Sequence, residues 1–567
     1  MAEIRNVAEL LTAAAQQYRD RDAVLAPVAL DSDHHVTFQS LTFAQLENLV
    51  NAYSRYFVDH GIRPGMKALL MMRPGLEFTA AAFAMFKTGA VPVLIDPGMG
   101  RRNFLNCVRN TRPEALVALS AVHWLRYLVP GSFRSVKLAF SGGKLPPPGV
   151  FRLEKAATPE SIRANAAPVE FAAHRGRLED PAAILFTTGS TGPAKGVEYT
   201  HKTFITQVET IRKVYGTGPH YVDMSAFPLF ALFAVVLGMK SVIPQMDFTR
   251  PAHADPQTII DIVNSQQVSF SFGSPAFWRT VAGYCVQHHL RLSSLKLVLM
   301  AGAPVDAELH RLVKQAIAPE GETRVPYGAT EALPISDFNG TEMLAETAAK
   351  TARGEGYCVG YPNPGMTIQI IRCRDEVIPR WNPNEMLPPF EKGEIVVRGD
   401  VVTAAYHQLP EATAKAKILD YDGGIWHRMG DIGYVDDQGR IWFCGRKNHR
   451  VVTPEITCYS VCTEAIFNHH PQVRRTALVG VPDAAGKTVP VLMIQPQLNA
   501  MPDSAAEREK FIADLRDLGK DYPFCAAIRE FLFLPEFPVD IRHNAKIFRE
   551  KLAVKAAQML AHHASRV

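Results

Sequence analysis

Phe186-Thr187-Thr188-Gly189-Ser190-Thr191-Gly192-Pro193-Ala194-Lys195-Gly196-Val197 joins two segments of different periodicity. Upstream, Ala182-Ala183-Ile184-Leu185-Phe186 is a short apolar run that predicts a buried strand, and downstream residues 201–215 carry helical spacing. Between them, glycines let the backbone approach an anion closely and turn successive N–H groups inward, while hydroxyls and one lysine add donors. Such a composition suits a phosphate cradle. An ordinary surface turn needs only a couple of special residues, so the length of this run favours the cradle.

A Walker-type loop requires Gly-Lys followed by Ser or Thr, whereas Lys195 sits between Ala194 and Gly196. The stretch instead resembles the phosphate loop of the adenylate-forming superfamily of acyl-CoA synthetases, luciferases and peptide-synthetase adenylation domains. Members of that superfamily activate a carboxylic acid with ATP to an acyl-adenylate. The resemblance implies that Thr187, Thr188, Gly189, Ser190, Thr191, Gly192 and Lys195 bind ATP, with Thr188 and Lys195 also catalytic.

At 567 residues the chain exceeds the size at which one core keeps growing, so two or more domains are expected. A composition of 47% hydrophobic and 21% charged residues is that of a globular enzyme and excludes disordered and fibrous classes. The net charge of +5 is too small to argue for nucleic acid, though a weakly basic surface helps collect anions such as ATP. Eight irregularly spaced cysteines give no disulfide framework, and Cys458 and Cys462 without a second pair do not argue for a metal. Residues 1–5 lack a signal-peptide layout, and the apolar run 226–239 ends at Lys240, short of the ~20 residues a spanning helix needs. A soluble cytoplasmic protein without a transmembrane segment is expected.

Residues 42–57 open with Thr42 and Gln45 in capping-box relation and place Phe43, Leu46, Val50, Tyr53 and Phe57 at three- and four-residue steps. They predict an amphipathic helix. A helical segment at 78–87 then leads into Val91-Pro92-Val93-Leu94-Ile95, a strand stopped at Pro97, which is the alternation of a doubly wound sheet. Pro-rich residues 144–148 and the weakly patterned 153–176 suggest a sub-domain border, and no internal repeat is evident. Met366, Ile368 and Ile370 alternate, 394–399 alternates less cleanly, and Pro- and Gly-rich segments separate them, which suggests a β-rich region.

Further motifs follow the superfamily's order. In Phe227-Pro228-Leu229-Phe230-Ala231-Leu232-Phe233, the matching Pro-Leu-Phe-His lines the acyl pocket, so Phe227, Phe230, Ala231 and Phe233 are implied there; the phenylalanines suit plain core equally well. Gly302, Ala303 and Pro304 resemble the turn on which the adenine stacks. Tyr327-Gly328-Ala329-Thr330-Glu331 matches the superfamily's Tyr-Gly-x-Thr-Glu, and Glu331 is the implied ligand of Mg²⁺, a hard cation that takes oxygen donors. Asp431, in Trp426-His427-Arg428-Met429-Gly430-Asp431, is implied to accept hydrogen bonds from the ribose hydroxyls. Arg446 completes the nucleotide set, Asn448 marks the hinge, and Lys546 aligns with the catalytic lysine of the last motif, with Ile547 and Arg549 in register.

The fold class so implied is α/β: a large N-terminal AMP-binding domain, 1–447, of two doubly wound α/β sub-domains plus a distorted β-barrel, and a small mobile C-terminal α+β domain, 448–567. Carboxylate attack on the ATP α-phosphorus joins two anions, so the loop amides, Lys195, Mg²⁺ on Glu331 and Lys546 are expected to supply positive charge.

Several positions that admit a thiol in typical relatives are altered. The hinge is Asn448, an ungapped alignment puts Glu455 where a glycine borders the thiol tunnel, the pocket His is Ala231, and Asn544-Ala545 replaces Ser-Gly before Lys546. A Glu in that path adds bulk and negative charge, which disfavours CoA delivery. A β-hydroxyl on the acyl group can then attack its own activated carbonyl, helped by effective molarities of ~10⁵–10⁸ M in aligned systems, to give a β-lactone. The combined pattern is similar to the β-lactone synthetases of bacterial long-chain olefin biosynthesis. Those enzymes take 2-alkyl-3-hydroxy acids and work beside a condensing enzyme, a reductase and an α/β-hydrolase-fold decarboxylase. Two readings stay open beside it: a fatty acyl-CoA or acyl-carrier-protein ligase, and a non-catalytic nucleotide or lipid sensor. The sensor should have lost Lys195, Glu331, Asp431 or Lys546, and all four are present.

Overall fold

The computed structural model describes the whole chain except residues 1–2, 165–166, 188–193, 484–485, 540–546 and 565–567. Its first sheet has seven strands in the order 151–152, 138–141, 115–118, 67–71, 91–94, 181–187 and 195–200. Pairing is parallel up to the last two strands, which are antiparallel with Thr187 opposite Lys195. Parallel strands are covered on both faces and so read as unbroken apolar runs, as in Ala115–Ala118, where every residue is buried.

Helix Phe43–Asp59 starts from the predicted capping box at Thr42 and Gln45. Helix Leu76–Thr88 is buried nearly all round, which is the position of a helix sandwiched between layers rather than lying on the surface. The sub-domain border expected across 144–176 is absent, because strands on both sides of it, 138–141 and 181–187, belong to the same sheet. Prolines and glycines there serve a surface crossing, held where Asn51 Nδ2 donates to the Val169 carbonyl at 2.8 Å.

The second sheet pairs strands 22–30, 240–242, 222–223, 270–273, 297–300 and 322–329 in parallel. From 322–329 it continues antiparallel through 332–339, 357–362, 441–446, 425–435, 393–398 and 367–371, wrapped on an apolar cluster that includes Ile335, Ile395, Val397 and Ile441. This continuation is the β-rich region. Strand Gly393–Arg398 alternates poorly because both its faces are covered: Ile395 and Val397 pack into one cluster and Val396 into another.

Beyond residue 450, strands Val473–Pro482, Thr488–Pro496 and Glu530–Phe533 form a separate three-stranded sheet. Two apolar clusters around it are drawn wholly from residues 451 onward. Helix Ser460–Phe467 packs back against the end of strand Ile441–Arg446, where a Cβ on Gly445 would meet Ser460 Oγ at 2.5 Å. Among the described residues no helix is long and apolar enough to cross a membrane. All eight cysteines are free thiols, and burial pushes most of them above the usual thiol range.

Candidate active site

Strands Ile425–Val435 and Ile441–Arg446 pair so that Asp431 faces Arg446 across the ladder. Asp431 is 2% exposed, accepts a 2.5 Å hydrogen bond from the Tyr327 hydroxyl on Oδ2, and has Arg446 Nη1 2.8 Å from Oδ1. Burial raises its pKa, against the pull of Arg446 and Tyr327. Oδ1 is held by the Arg446 ion pair, and each carboxylate oxygen keeps a further lone pair to offer. A buried anionic acceptor with capacity to spare fits a ribose hydroxyl.

Glu331 stands at the other side of this corner. The Tyr406 hydroxyl donates to Glu331 Oε1 at 2.5 Å, and Thr403 holds the Glu331 carbonyl through its N–H at 2.9 Å and its hydroxyl at 3.0 Å. Lys195 opens the strand Lys195–Thr200 and places Nζ 4.8 Å from the centre of the Tyr406 ring, a cation–π contact. Register makes that contact possible, since Val197 bridges Tyr406 and the His407 N–H donates to the Gly196 carbonyl at 2.7 Å. Tyr199, on the same strand, donates to the Thr330 carbonyl at 2.5 Å. Behind Glu331, Lys417 is buried opposite His427, and burial lowers it to about 7 although Glu331 opposes the shift.

The described residues contain no group of three or more His, Cys, Asp or Glu that could cage a metal. A single carboxylate beside a phosphate site still fits Mg²⁺, which commonly takes one or two carboxylates and completes its shell with substrate phosphates and waters.

Lys195, Gly302, Ala303, Pro304, Tyr327, Gly328, Ala329, Thr330, Glu331, Asp431, Arg446 and Asn448 all line one cavity of about 2340 Å³. Gly302 has φ of 93°, the left-handed region that lets strand Leu297–Met300 turn sharply into the Ala303-Pro304 shelf. Phe227, Phe230 and Phe233 line the same cavity, with Phe230 stacked on Phe272 at 3.9 Å. Its apolar chamber extends between helices Leu76–Thr88, His201–Tyr215 and Pro228–Val236, with Phe83, Phe86, Phe204, Val208 and Leu232 in the wall. Ala231 corrects the expectation. It sits one helical step of about 100° from Phe230 and is not a wall residue.

Lys546 and the loop residues Thr188, Gly189, Ser190, Thr191 and Gly192 lie outside the described residues. Ile547 and Arg549, which follow Lys546, do line the cavity, and Arg549 Nη2 is 2.6 Å from Glu464 Oε2 on helix Ser460–Phe467. Next to Asn448, Lys447 Nζ lies 3.2 Å from buried Glu394, which also takes Arg428 Nη2 at 2.6 Å. Glu455 is exposed on the turn between the short strands Val451–Val452 and Thr457–Cys458 and does not line the cavity. The proposed obstruction of a thiol path by this residue therefore has no basis in this arrangement.

Sequence reasoning missed Tyr406, Thr403, Tyr199 and Lys417. Tyr406 is 75 residues from Glu331, and nothing in its neighbourhood marks the pairing.

The family model described as AMP-binding enzyme matches residues 11–407. The chain is 39% identical to the olefin β-lactone synthetase of Xanthomonas campestris pv. campestris, with 98% of each chain covered, and 39% identical to that of Stenotrophomonas maltophilia, again over 98% of each. Among solved structures, the amide bond synthetase McbA from Marinactinospora thermotolerans superposes with a TM-score of 0.75 at 21% identity, over 97% of this chain and 99% of its own. Family match, full-length identity and fold agree with the nucleotide corner and acyl chamber: the chain belongs to the AMP-binding enzyme family and is a full-length relative of the olefin β-lactone synthetases.

Proposed function

We propose that the enzyme activates a long-chain 2-alkyl-3-hydroxy carboxylic acid with ATP and closes the resulting acyl-adenylate to a β-lactone. The observation that carries this reading is the continuity of the cavity, which joins the Tyr327–Asp431–Arg446 corner to an apolar chamber between helices. At about 2340 Å³ it exceeds the ~300–1,000 Å³ of ordinary ligand pockets, as a nucleotide together with a branched pair of alkyl chains would require.

In the first step the substrate carboxylate attacks the α-phosphorus, a P–O bond to pyrophosphate breaks, and negative charge grows on both fragments. Lys195, held over the Tyr406 ring, and Lys546, on the segment continued by Ile547 and Arg549, are the proposed cations that meet this charge. Asp431 takes the ribose hydroxyls, Tyr327 and Arg446 keep its carboxylate oriented, and the Ala303-Pro304 shelf supports the base. Mg²⁺, when bound at Glu331, would screen the triphosphate. Tyr406 fixes Glu331 for that purpose.

In the second step the β-oxygen bonds to the acyl carbon, the acyl C–O bond to AMP breaks, and the hydroxyl proton is lost to the departing phosphate or solvent. Holding the two groups of one molecule together supplies the effective concentration that offsets ring strain.

We assign residues 1–447 to the nucleotide-binding domain and 448–567 to a mobile module that carries Lys546, with Asn448 at the hinge. Chemistry also defines the neighbours of the reaction: a reductase acting on a 2-alkyl-3-keto acid must supply the substrate, and a decarboxylase must consume the lactone. Free, buried thiols and the demand for ATP favour a cytoplasmic setting.

Incubation with ATP, Mg²⁺ and a 2-alkyl-3-hydroxy acid, with and without CoA, and product analysis by mass spectrometry, tests the proposal. Lactone, AMP and pyrophosphate should form at the same rate in both. Rapid thioester formation in the CoA arm would reject it.

A further inference from the structure

The helix His201–Tyr215 turns one apolar face to the acyl chamber, where Phe204, Val208, Ile211 and Tyr215 recur at helical spacing along the wall. Gln207 sits on that face. It is 1% exposed and lines the cavity, a primary amide among aromatic and aliphatic side chains. Its Nε2 donates to the Leu333 carbonyl at 2.9 Å, and its side chain neighbours the Tyr199 phenol. Tyr199 in turn spends its own hydrogen on the Thr330 carbonyl at 2.5 Å.

These bonds decide which end of the amide is which. Turning it over would set Oε1 against the Leu333 carbonyl, acceptor against acceptor. With Nε2 so committed, Gln207 Oε1 is left as a buried acceptor that no donor among the described residues satisfies. A buried acceptor without a donor is costly, and such exceptions call for an explanation.

We infer that Gln207 recognises the β-hydroxyl of the substrate and orients it for ring closure, an inference that rests on the proposed lactone-forming activity. The substrate itself narrows the choice. Its alkyl chains offer no hydrogen-bond donor and its ionised carboxylate only acceptors, so the β-hydroxyl carries the one O–H that can complete Oε1. The location agrees, because Gln207 adjoins Tyr199, whose hydroxyl donates to the Thr330 carbonyl next to Glu331 at the proposed site of adenylation. A hydroxyl whose hydrogen points to Oε1 turns an oxygen lone pair away from the amide, toward the acyl carbon. An amide does not take up the proton at neutral pH, so Gln207 positions the nucleophile rather than serving as its base.

The test compares a 2-alkyl-3-hydroxy acid with the same acid lacking the hydroxyl. The readout is kcat/KM for pyrophosphate exchange into ATP, with lactone measured in parallel. Wild-type enzyme should prefer the hydroxy acid by on the order of tenfold, the discrimination expected of one buried hydrogen bond. Gln207→Leu should bring that ratio close to unity, the loss falling on the hydroxy acid.

A wild-type ratio near unity overturns the inference without recourse to any variant. So does a parallel fall for both acids in Gln207→Leu, the outcome of a purely structural role through Leu333 and Tyr199. Failure of the underlying function reads differently: a wild-type preference for the hydroxy acid with no lactone formed would leave recognition standing and remove ring closure.

Discussion

Asp431 is a carboxylate that the fold holds out of water, at 2% exposure, between a phenol and a guanidinium. The Arg446 guanidinium and the Tyr327 hydroxyl account for an acid at a position where burial alone would be unfavourable. Asp431→Asn keeps the shape but removes the charge opposite Arg446, so the KM for ATP should rise roughly 10- to 100-fold, the range for charged hydrogen bonds. Initial-rate kinetics in ATP check this, and an unchanged KM would show that the ribose is held elsewhere. A second buried acid, Asp223, is fully buried, and burial raises it to about 7 against hydrogen bonds from Ser225 and Ser241. Between about pH 4 and pH 7 the folded state therefore keeps a proton that the unfolded state has released, so this residue costs stability as pH rises through that window. Asp223→Asn removes the penalty, which is on the order of a few kcal/mol. Thermal midpoints at pH 5 and pH 8 should fall more for wild type than for the variant, and parallel changes would refute the assignment. Asp431 was legible in the sequence because it sits in a contiguous motif. Asp223 was not, because a lone acid in an apolar strand carries no local sign of the two serines that satisfy it.

The elements around the site divide along the same line. Helix Phe43–Asp59 and strand Val91–Leu94 were readable from capping, periodicity and a stopping proline, all of which act within a few residues. The segment 400–417 was opaque, since its role arises from docking against strand Lys195–Thr200 through the Val197–Tyr406 bridge and the His407–Gly196 hydrogen bond. This docking brings Tyr406 between Lys195 and Glu331. Tyr406→Phe preserves the ring under the lysine but deletes the hydroxyl that steadies the carboxylate. Adenylate formation should slow by about tenfold, with higher Mg²⁺ restoring part of the loss, while the thermal midpoint stays close to wild type. A variant with full activity at low Mg²⁺ would reduce Tyr406 to packing. The mistaken border at 144–176 has a matching cause: prolines and glycines report a bend in the chain, whereas membership of a sheet is decided by partners far away in sequence.

At the scale of the molecule, two bodies of secondary structure meet over one cavity. Residues beyond 450 build their own three-stranded sheet and their own apolar clusters, yet Ile547 and Arg549 reach the wall shared with Glu331 and Asp431. Arg549 is tied to Glu464 at 2.6 Å, so the segment that continues from Lys546 is anchored to helix Ser460–Phe467, itself packed on the strand that ends in Arg446. Motif order led to an expected division at 447/448, whereas the Arg549–Glu464 anchor spans 85 residues and became visible only in three dimensions. The proposed mechanism separates the two chemical steps. In it, Lys546 meets charge on the triphosphate, whereas ring closure of a finished adenylate calls for a positioned hydroxyl and the departure of AMP, with no triphosphate charge to meet. Lys546→Ala should therefore reduce pyrophosphate exchange by about 10²–10³-fold, the usual cost of one preorganised donor. The same variant, given chemically prepared β-hydroxyacyl-adenylate, should release lactone and AMP within a few-fold of the wild-type rate. Loss of both steps together would mean that the C-terminal module also assembles the site for ring closure, and retention of both would remove Lys546 from the mechanism.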